Sequence, residues 1–341
     1  MSMSETTPDT LLIWGAGAIG GTIGAFLARA GHDVLLVDTV AEHVAAMQAD
    51  GLTIEGPVES FTTPVSAATP DQVTGQFDRI ILAVKAHHTE AASLMLRSHL
   101  APGGYVASFQ NGLNELVIAD VVGPANVVGA FVNFGADYLA PGRILYGNRG
   151  ACVVGEVDGS ISKRVTALRD KLATFEPDAI VTDDIMGYLW GKLGYGALLF
   201  GTALTDDSIA DALADPAYRP VLTAIAREAI AVAGAKGVNP RGFNGFDPVA
   251  FAPGGSDAAV DASFDAMVAF NRGSAKTHSG IWRDLAVRKR RTEVDAQLGP
   301  VVAEGKRAGI ATPMTRRLIA LIHAIEDGRP LSRANLGELA Q

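Results

Sequence analysis

The amino-acid sequence predicts an α/β protein in which an N-terminal doubly wound sheet is followed by an all-helical second domain. Three observations carry this expectation. Short apolar runs alternate with helix-like segments through the first half, the pattern of a parallel sheet covered by helices. A glycine-rich turn separates the first apolar run from the first helical one. Beyond about Asp183 the apolar residues recur at helical spacing instead. At 341 residues the chain exceeds one ordinary core. The domains are therefore drawn at residues 1–182 and 183–341.

Taken in order, strands are predicted at residues 11–14, 33–37, 79–84, 105–109 and 126–132, and helices at 19–30, 41–49, 88–96 and 114–121. An irregular β-rich stretch follows over 143–156, punctuated by Gly147, Gly150 and Gly155. In the second half Ile185, Leu189, Lys192, Leu193 and Leu198 share helical spacing, as do Val221, Ile225, Ala229 and Val232. Residues 239–255, rich in Pro and Gly, read as a loop. A single helix is expected over 281–308, and a last one over 314–326 behind Thr312-Pro313.

Composition narrows the function classes. Lys and Arg number 28 against 37 Asp and Glu, a formal net charge of −9. A duplex-binding protein needs a strong positive field to release counterions, so nucleic acid is excluded as the expected partner. Cys152 is the only cysteine, which rules out an intrachain disulfide and suits a reducing compartment. Within Ala151-Cys152-Val153-Val154 it reads as a small buried hydrophobe. The first ten residues are polar, with Glu5 and Asp9 where a secretory leader needs positive charge. Residues 11–28 are apolar over a length that would span a bilayer. Gly15, Gly17, Gly20, Gly21 and Gly24 split that stretch into strand, turn and helix. The expectation is a cytoplasmic protein with no membrane segment and a small-molecule partner. No His, Cys or carboxylate cluster has metal-ligand spacing.

Leu11-Leu12-Ile13-Trp14 runs directly into Gly15-Ala16-Gly17-Ala18-Ile19-Gly20, a G-x-G-x-x-G turn between strand and helix, as in Rossmann-type dinucleotide-binding units. Gly15 allows the tight turn, Gly17 lets the backbone approach a pyrophosphate, and Gly20 lets the helix pack closely. The phosphates would sit on the helix N-terminus, whose free N–H groups favour an anion. The second strand ends in Asp38, 21 residues beyond Gly17. A carboxylate there accepts hydrogen bonds from the ribose hydroxyls and repels a 2′-phosphate. Neither Thr39 nor Val40 is basic, so NAD is expected as the cofactor over NADP. Lys85 and Gln110-Asn111-Gly112 follow later strands, at the carboxyl ends where open α/β sheets bind ligands. By its residue type alone Lys85 reads equally as a solvated lysine.

Together Gly15 to Gly20, Val84-Lys85-Ala86, Gln110-Asn111-Gly112, Trp190-Gly191-Lys192-Leu193, Arg291-Thr292-Glu293-Val294-Asp295 and Gly309-Ile310-Ala311-Thr312-Pro313 resemble, in type and order, the motifs of ketopantoate reductases. The resemblance implies a Rossmann domain followed by a helical domain like that of 6-phosphogluconate dehydrogenases, with the active site in the cleft between them. It implies that Lys192 is the proton donor and that Glu293 lies near the cofactor and the reacting centre. Lys85 and Asn111 match residues beside the nicotinamide and ribose, Asn111 also within reach of substrate. Gly135 stands where the backbone approaches the nicotinamide. Ser279, allowing a one-residue gap, matches the serine that binds the substrate carboxylate. By analogy with such helical domains, a homodimer is expected.

The residues themselves agree with that chemistry. Hydride transfer to a carbonyl leaves charge on oxygen, which a positioned ammonium can stabilise and protonate. Lys192 lies in an apolar segment where partial burial would make it a better acid. Without the resemblance it reads equally as a snorkelling helix lysine. The sequence also departs from the family. Where those enzymes have a basic residue after the second strand, this chain has Asp38-Thr39. Where two asparagines follow the lysine at four-residue steps and bind the ketopantoate hydroxyl, it has Gly196 and Phe200, or Leu199 with a gap. The expected substrate is thus a 2-oxo acid, or the matching 2-hydroxy acid, with a bulkier or more apolar side chain. Ketopantoate reduction with NADPH, an opine- or imine-type reduction of C=N, and a non-catalytic NAD-binding sensor are the alternatives. The basic run Arg288-Lys289-Arg290-Arg291 reads as a solvated helix face with i,i+4 pairs Asp284–Arg288 and Arg291–Asp295.

Overall fold

The computed structural model describes residues 9–273 and 277–339. Residues 1–8, on which the leader argument largely rests, lie outside them. The chain divides into two compact units, Met1–Gln110 with Asn114–Ile185, and Asn111–Leu113 with Met186–Gln341. The division along the chain thus falls after Ile185, and Asn111–Leu113 groups with the second unit.

The first unit is built on β1 (Leu11–Trp14), β2 (Val34–Val37), β3 (Leu52–Glu55), β4 (Phe61–Thr63), β5 (Ser66–Ala68), β6 (Phe77–Leu82), β7 (Leu100–Ser108), β8 (Val127–Val132), β9 (Gly135–Ala140), β10 (Arg143–Asn148), β11 (Cys152–Glu156) and β12 (Ile180–Val181). Its helices are α1 (Ala18–Arg29), α2 (Ala41–Asp50), α3 (Thr89–Leu96), α4 (Asn114–Val122) and α5 (Lys163–Leu172). The main sheet has the order β12-β11-β8-β7-β6-β1-β2-β5. Strands β5, β2, β1, β6, β7 and β8 pair in parallel, while β11 runs antiparallel to β8. Counted within the parallel set this is the doubly wound order 3-2-1-4-5-6, with its switch point between β1 and β6.

Alternation along β1 shows why both faces are covered. Leu11 and Ile13 enter a core with Ile23, Phe26 and, from α5, Leu168, whereas Leu12 and Trp14 enter another with Leu96 and Ile118 from α3 and α4. Cys152 is 1% exposed, and burial pushes its thiol up to about 12, so it is the inert apolar residue expected. Sequence reading misses the second, four-stranded sheet, β4-β3-β10-β9. Its strands are short, and a three-residue strand such as β4 carries too little alternation to show a period of two.

The second unit contains α6 (Ile185–Thr202), α7 (Ile209–Ala214), α8 (Arg219–Ala235), α9 (Pro248–Phe251), α10 (Asp257–Arg272), α11 (Gly280–Trp282), α12 (Val294–Ala308), α13 (Pro313–Glu326) and α14 (Arg333–Leu339), α6 beginning one residue before it. Among the described residues no helix is long and apolar enough to cross a membrane. The single helix expected over 281–308 is a correction. After α11 the chain makes a wide π-helical turn, Arg283–Val287, and leaves helical geometry until Val294. The cause is Asp284, whose carboxylate is 6% exposed and accepts from Arg288 Nη1 at 3.0 Å and Arg290 Nε at 2.9 Å. Its carbonyl also accepts from Arg290 N at 3.0 Å, so the chain curls around one buried acid. Lys289 takes a left-handed φ of 50° within that curl. The Asp284–Arg288 pair therefore forms, whereas Arg291 pairs with Glu326 and Asp327 in place of Asp295.

Candidate active site

In the first unit the glycine turn has the geometry its spacing requires. Gly15 has φ +106°, and a Cβ on it would stand 2.8 Å from Ala83 C and Val84 N, so neither conformation nor space admits a side chain. A Cβ on Gly20 would overlap the Gly15 carbonyl, whereas one on Gly17 would meet nothing within 4 Å. Space is thus open over Gly17 at the start of α1, where no side chain caps the helix N-terminus. Gly17, Ala18 and Ile19 are half-buried there. This is a cradle that fits a pyrophosphate.

A residue that sequence reading passes over holds the turn in place. His43, 0% exposed on α2, accepts from Gly142 N at its Nδ1 (2.9 Å). Because that amide can only donate, Nε2 carries the ring proton and donates to Ala16 O at 2.9 Å. His43 so ties the glycine turn to the β9–β10 connection. Its partners lie 27 and 99 residues away, which no local pattern reveals.

Asp38 is half-buried at the end of β2, and its Oδ1 accepts from Val40 N at 3.0 Å. That bond shapes the turn and leaves Oδ2 for a hydroxyl. The surroundings are acidic. The Tyr138 phenol is pushed up, first by burial and then by the charges of Asp38 and Glu42. Lys85, after β6, is exposed, as are His87 and His88. Gly135 opens β9 opposite Asn148, whose Oδ1 a Cβ would overlap. The Asn148 side chain would have to turn aside for any larger residue there. Gln110 is 4% exposed and spent on structure, its Nε2 donating to Val84 O (2.9 Å) and Thr89 Oγ1 (2.8 Å).

In the second unit α6 is buried almost throughout. Between Tyr188 and Leu199 its half-buried positions are Tyr188, Lys192, Gly196 and Leu199, steps of four, four and three that make one stripe. The rest of the helix is closed by approach of neighbouring chain. A Cβ on Gly191 would overlap Arg241 O, and Arg241 N donates to Gly187 O at 2.8 Å. Glycine in a helix interior costs about 0.5–1 kcal/mol against alanine; here that cost is exchanged for close packing. Phe200 is 0% exposed and belongs to the helical core. Beside it Leu199 is half-buried, on the stripe with Lys192 and Gly196.

Glu293, 9% exposed, immediately precedes α12. Ser279, 3% exposed, accepts from Trp282 N at 3.1 Å through Oγ, an N-cap bond that keeps its O–H able to donate. Asn111 is exposed in the Asn111–Leu113 segment, and Gly112 at φ +100° lies against α12, a Cβ on it being 3.5 Å from Gln297 Cα. Among the described residues no group of three or more His, Cys, Asp or Glu is arranged to hold a metal ion.

The segment before Glu293 is anchored by Glu326 on α13, its side chain 1% exposed. Glu326 accepts from Thr292 N (2.7 Å), Thr292 Oγ1 (2.8 Å), Arg291 Nη1 (2.9 Å) and His323 Nδ1 (2.8 Å). Burial pushes its carboxyl up, but the Thr292 backbone bond and the Arg291 and His323 bonds outweigh it and hold it at about 2. Burial likewise lowers His323, and the bonds from Glu326 and Asp295 outweigh that and raise it above 6.5. A lowered carboxyl stabilises the fold above its unfolded value of 4.5 and loses that as pH falls toward about 2. A raised histidine stabilises below 6.5 and loses that as pH rises through its folded value. We expect the urea midpoint to be highest between these limits. In Glu326→Gln both limbs flatten and stability near pH 6 falls by about 1–3 kcal/mol; a mutant profile parallel to the wild type's would show that Glu326 is no such anchor.

A dinucleotide cradle on a doubly wound sheet, joined in one chain to a helical unit carrying a half-open lysine and a buried glutamate, defines an oxidoreductase of the two-domain Rossmann class. Residues 11–159 match the family model described as Ketopantoate reductase PanE/ApbA, and residues 184–326 match its C-terminal counterpart. The chain belongs to the ketopantoate reductase family. It is 30% identical to a 2-dehydropantoate 2-reductase of Mesorhizobium japonicum over 93% of this chain and 98% of that one. The figure is 27% for one from Archaeoglobus fulgidus, over 93% and 97%. Among solved structures, a PanE/ApbA family ketopantoate reductase from Ralstonia eutropha superposes with a TM-score of 0.78 at 29% identity, covering 93% of this chain and 98% of that one. A ternary structure of D-mandelate dehydrogenase with NADH and anilino(oxo)acetate shares the fold, with a TM-score of 0.79, 24% identity and the same coverage.

Proposed function

We propose that the protein transfers a hydride between NAD(H) and a 2-oxo acid, or the matching 2-hydroxy acid, with Lys192 as general acid and base. The observation that carries this reading is Lys192 on the one half-open stripe of an otherwise buried helix, beside Gly196 and Leu199. Reduction adds a hydride to the carbonyl carbon and a proton to its oxygen. The nicotinamide, when bound, supplies the hydride. Lys192 Nζ gives up the proton and, as an ammonium, stabilises charge building on that oxygen; in the reverse direction the neutral amine takes the hydroxyl proton. Ser279 donates its O–H to the substrate carboxylate, and Glu293 orients the Lys192 ammonium. Gly15, Gly17, Ala18, Ile19 and Gly20 form the pyrophosphate cradle, Asp38 takes the ribose hydroxyls, and Lys85, Asn111 and Gly135 face the nicotinamide end. The half-buried Asp38 in its acidic setting supports NAD over NADP. The NADH in the D-mandelate dehydrogenase structure is consistent with a fold that takes this cofactor.

Gly196 and Leu199 give the stripe bare backbone and an apolar side chain, which supports a substrate bulkier or more apolar than ketopantoate. A second reading, ketopantoate reduction with NADPH, is favoured by the curated relatives, which are 2-dehydropantoate 2-reductases. The test is a panel of 2-oxo acids with NADH and with NADPH, and of 2-hydroxy acids with NAD and NADP. The first reading expects the highest kcat/KM with NADH and a bulky 2-oxo acid. Ketopantoate with NADPH exceeding every other pair would overturn it in favour of the second.

A further inference from the structure

Gln297 lies in the first turn of α12, and its N–H donates at 2.9 Å to the carbonyl of Glu293, the residue that precedes the helix. Gln297 is 9% exposed. Its stem lies under Gly112, where a Cβ would stand 3.5 Å from both Gln297 Cα and Cγ. Its amide oxygen points at α6, 3.9 Å from where a Cβ on Gly196 would be, and Gly196 is one helical turn from Lys192. Apart from the residues next to Gly196 and the backbone of α6 itself, no other heavy atom among the described residues comes within 4 Å of that point. Among the described residues nothing donates to or accepts from this amide, although the side chains of Gln48, Gln72 and Gln110 all have partners. Nor are its polar atoms sealed away with the fully buried ones. Because those atoms reach solvent, water can complete their hydrogen bonds, and a ligand's polar group can take the water's place.

We infer that Gln297 reads the substrate's side chain: its amide hydrogen-bonds a polar group carried by the 2-oxo acid, over the bare backbone of Gly196. This rests on the function proposed above and narrows it. The substrate side chain is bulky enough to reach across the stripe from the carbon beside Lys192, and it carries a donor or acceptor at that depth. Gly196 provides the room, and α12 provides the polar contact that α6 lacks at Gly196 and Leu199. Gln297 determines specificity and takes no part in proton or hydride transfer.

The test uses matched 2-oxo acids that differ by one hydroxyl: 4-hydroxyphenylpyruvate against phenylpyruvate, and ketopantoate against 3,3-dimethyl-2-oxobutanoate. The wild type should favour the hydroxylated member of at least one pair by about ten-fold or more in kcat/KM. Gln297→Met keeps the unbranched shape and the packing under Gly112 while removing both hydrogen-bonding atoms. It should bring that ratio to within about two-fold, with the loss in KM more than in kcat, and leave NADH affinity and melting temperature near wild type. Gly196→Val is the second variant. It blocks the amide from the front without altering α12, and should lower the same ratio. If the wild type turns over 2-oxo acids and either folded variant leaves both ratios unchanged, or lowers both members of each pair alike, the inference is overturned while the function stands. If the wild type turns over no 2-oxo acid with either cofactor, the underlying function falls and this inference with it.

Discussion

Lys192→Ala is expected to lower kcat for 2-oxo acid reduction by roughly two to four orders of magnitude, the usual worth of a positioned general acid. NADH binding should change by less than about two-fold, since the cradle at Gly15–Gly20 is built from other residues. Lys192 occupies a half-open position among Leu189, Trp190, Gly191 and Leu193, all buried. Arginine does not replace it, because a guanidinium keeps its proton and cannot act as the base in the oxidative direction. Single-turnover reduction followed by nicotinamide absorbance, together with NADH fluorescence titration, separates the two effects. Turnover retained within about ten-fold of wild type would remove Lys192 from the chemistry. The sensor reading gains only if no substrate is turned over and the substitution alters partner binding alone.

The second large effect concerns the cofactor. Asp38→Ser combined with Thr39→Arg should raise kcat/KM for NADPH relative to NADH by about 100-fold. A carboxylate that repels the 2′-phosphate is removed, and a guanidinium that pairs with it is added at an exposed position. The magnitude follows from one or two charge-assisted hydrogen bonds at about 1.5–3 kcal/mol each. The introduced serine hydroxyl would still accept from Val40 N, preserving the turn that Asp38 Oδ1 now makes. Glu42 remains nearby, so Asp38→Ser alone should give a smaller change. A wild-type enzyme that already prefers NADPH, or a double variant whose preference does not move, would remove Asp38 as the selector.

Much of the first unit is legible because its signals are local. A tight turn needs Gly15, a close helix needs Gly20, and a ribose carboxylate must follow the second strand, so Asp38 is found by counting. The four-stranded sheet is not legible, since strands of three to six residues carry weak alternation and β3 pairs with β10 across about ninety residues of chain. The single helix expected over 281–308 gives way for a related reason. Only the burial of Asp284, with Arg288 and Arg290 folded onto it, breaks the helix there, and burial is not written in local spacing. Four-residue spacing picks Phe200 on α6 and admits Leu199 only with a gap, whereas packing buries Phe200 and leaves Leu199 half-open.

What the sequence determined by itself is the set of chemical groups and the local frames of three of them: the glycine turn, Asp38 after the second strand, and Lys192 on a helix. Each depends on backbone conformation or on spacing within a few turns, which residue type controls directly. What only the tertiary structure decided is which groups are held, spent or left open. His43 is fixed by two backbone atoms, Glu326 by four donors, Gln110 by Val84 and Thr89, and the Gln297 amide by none among the described residues. Those outcomes depend on segments far apart in the chain meeting in space, and burial makes each unmet or satisfied bond matter.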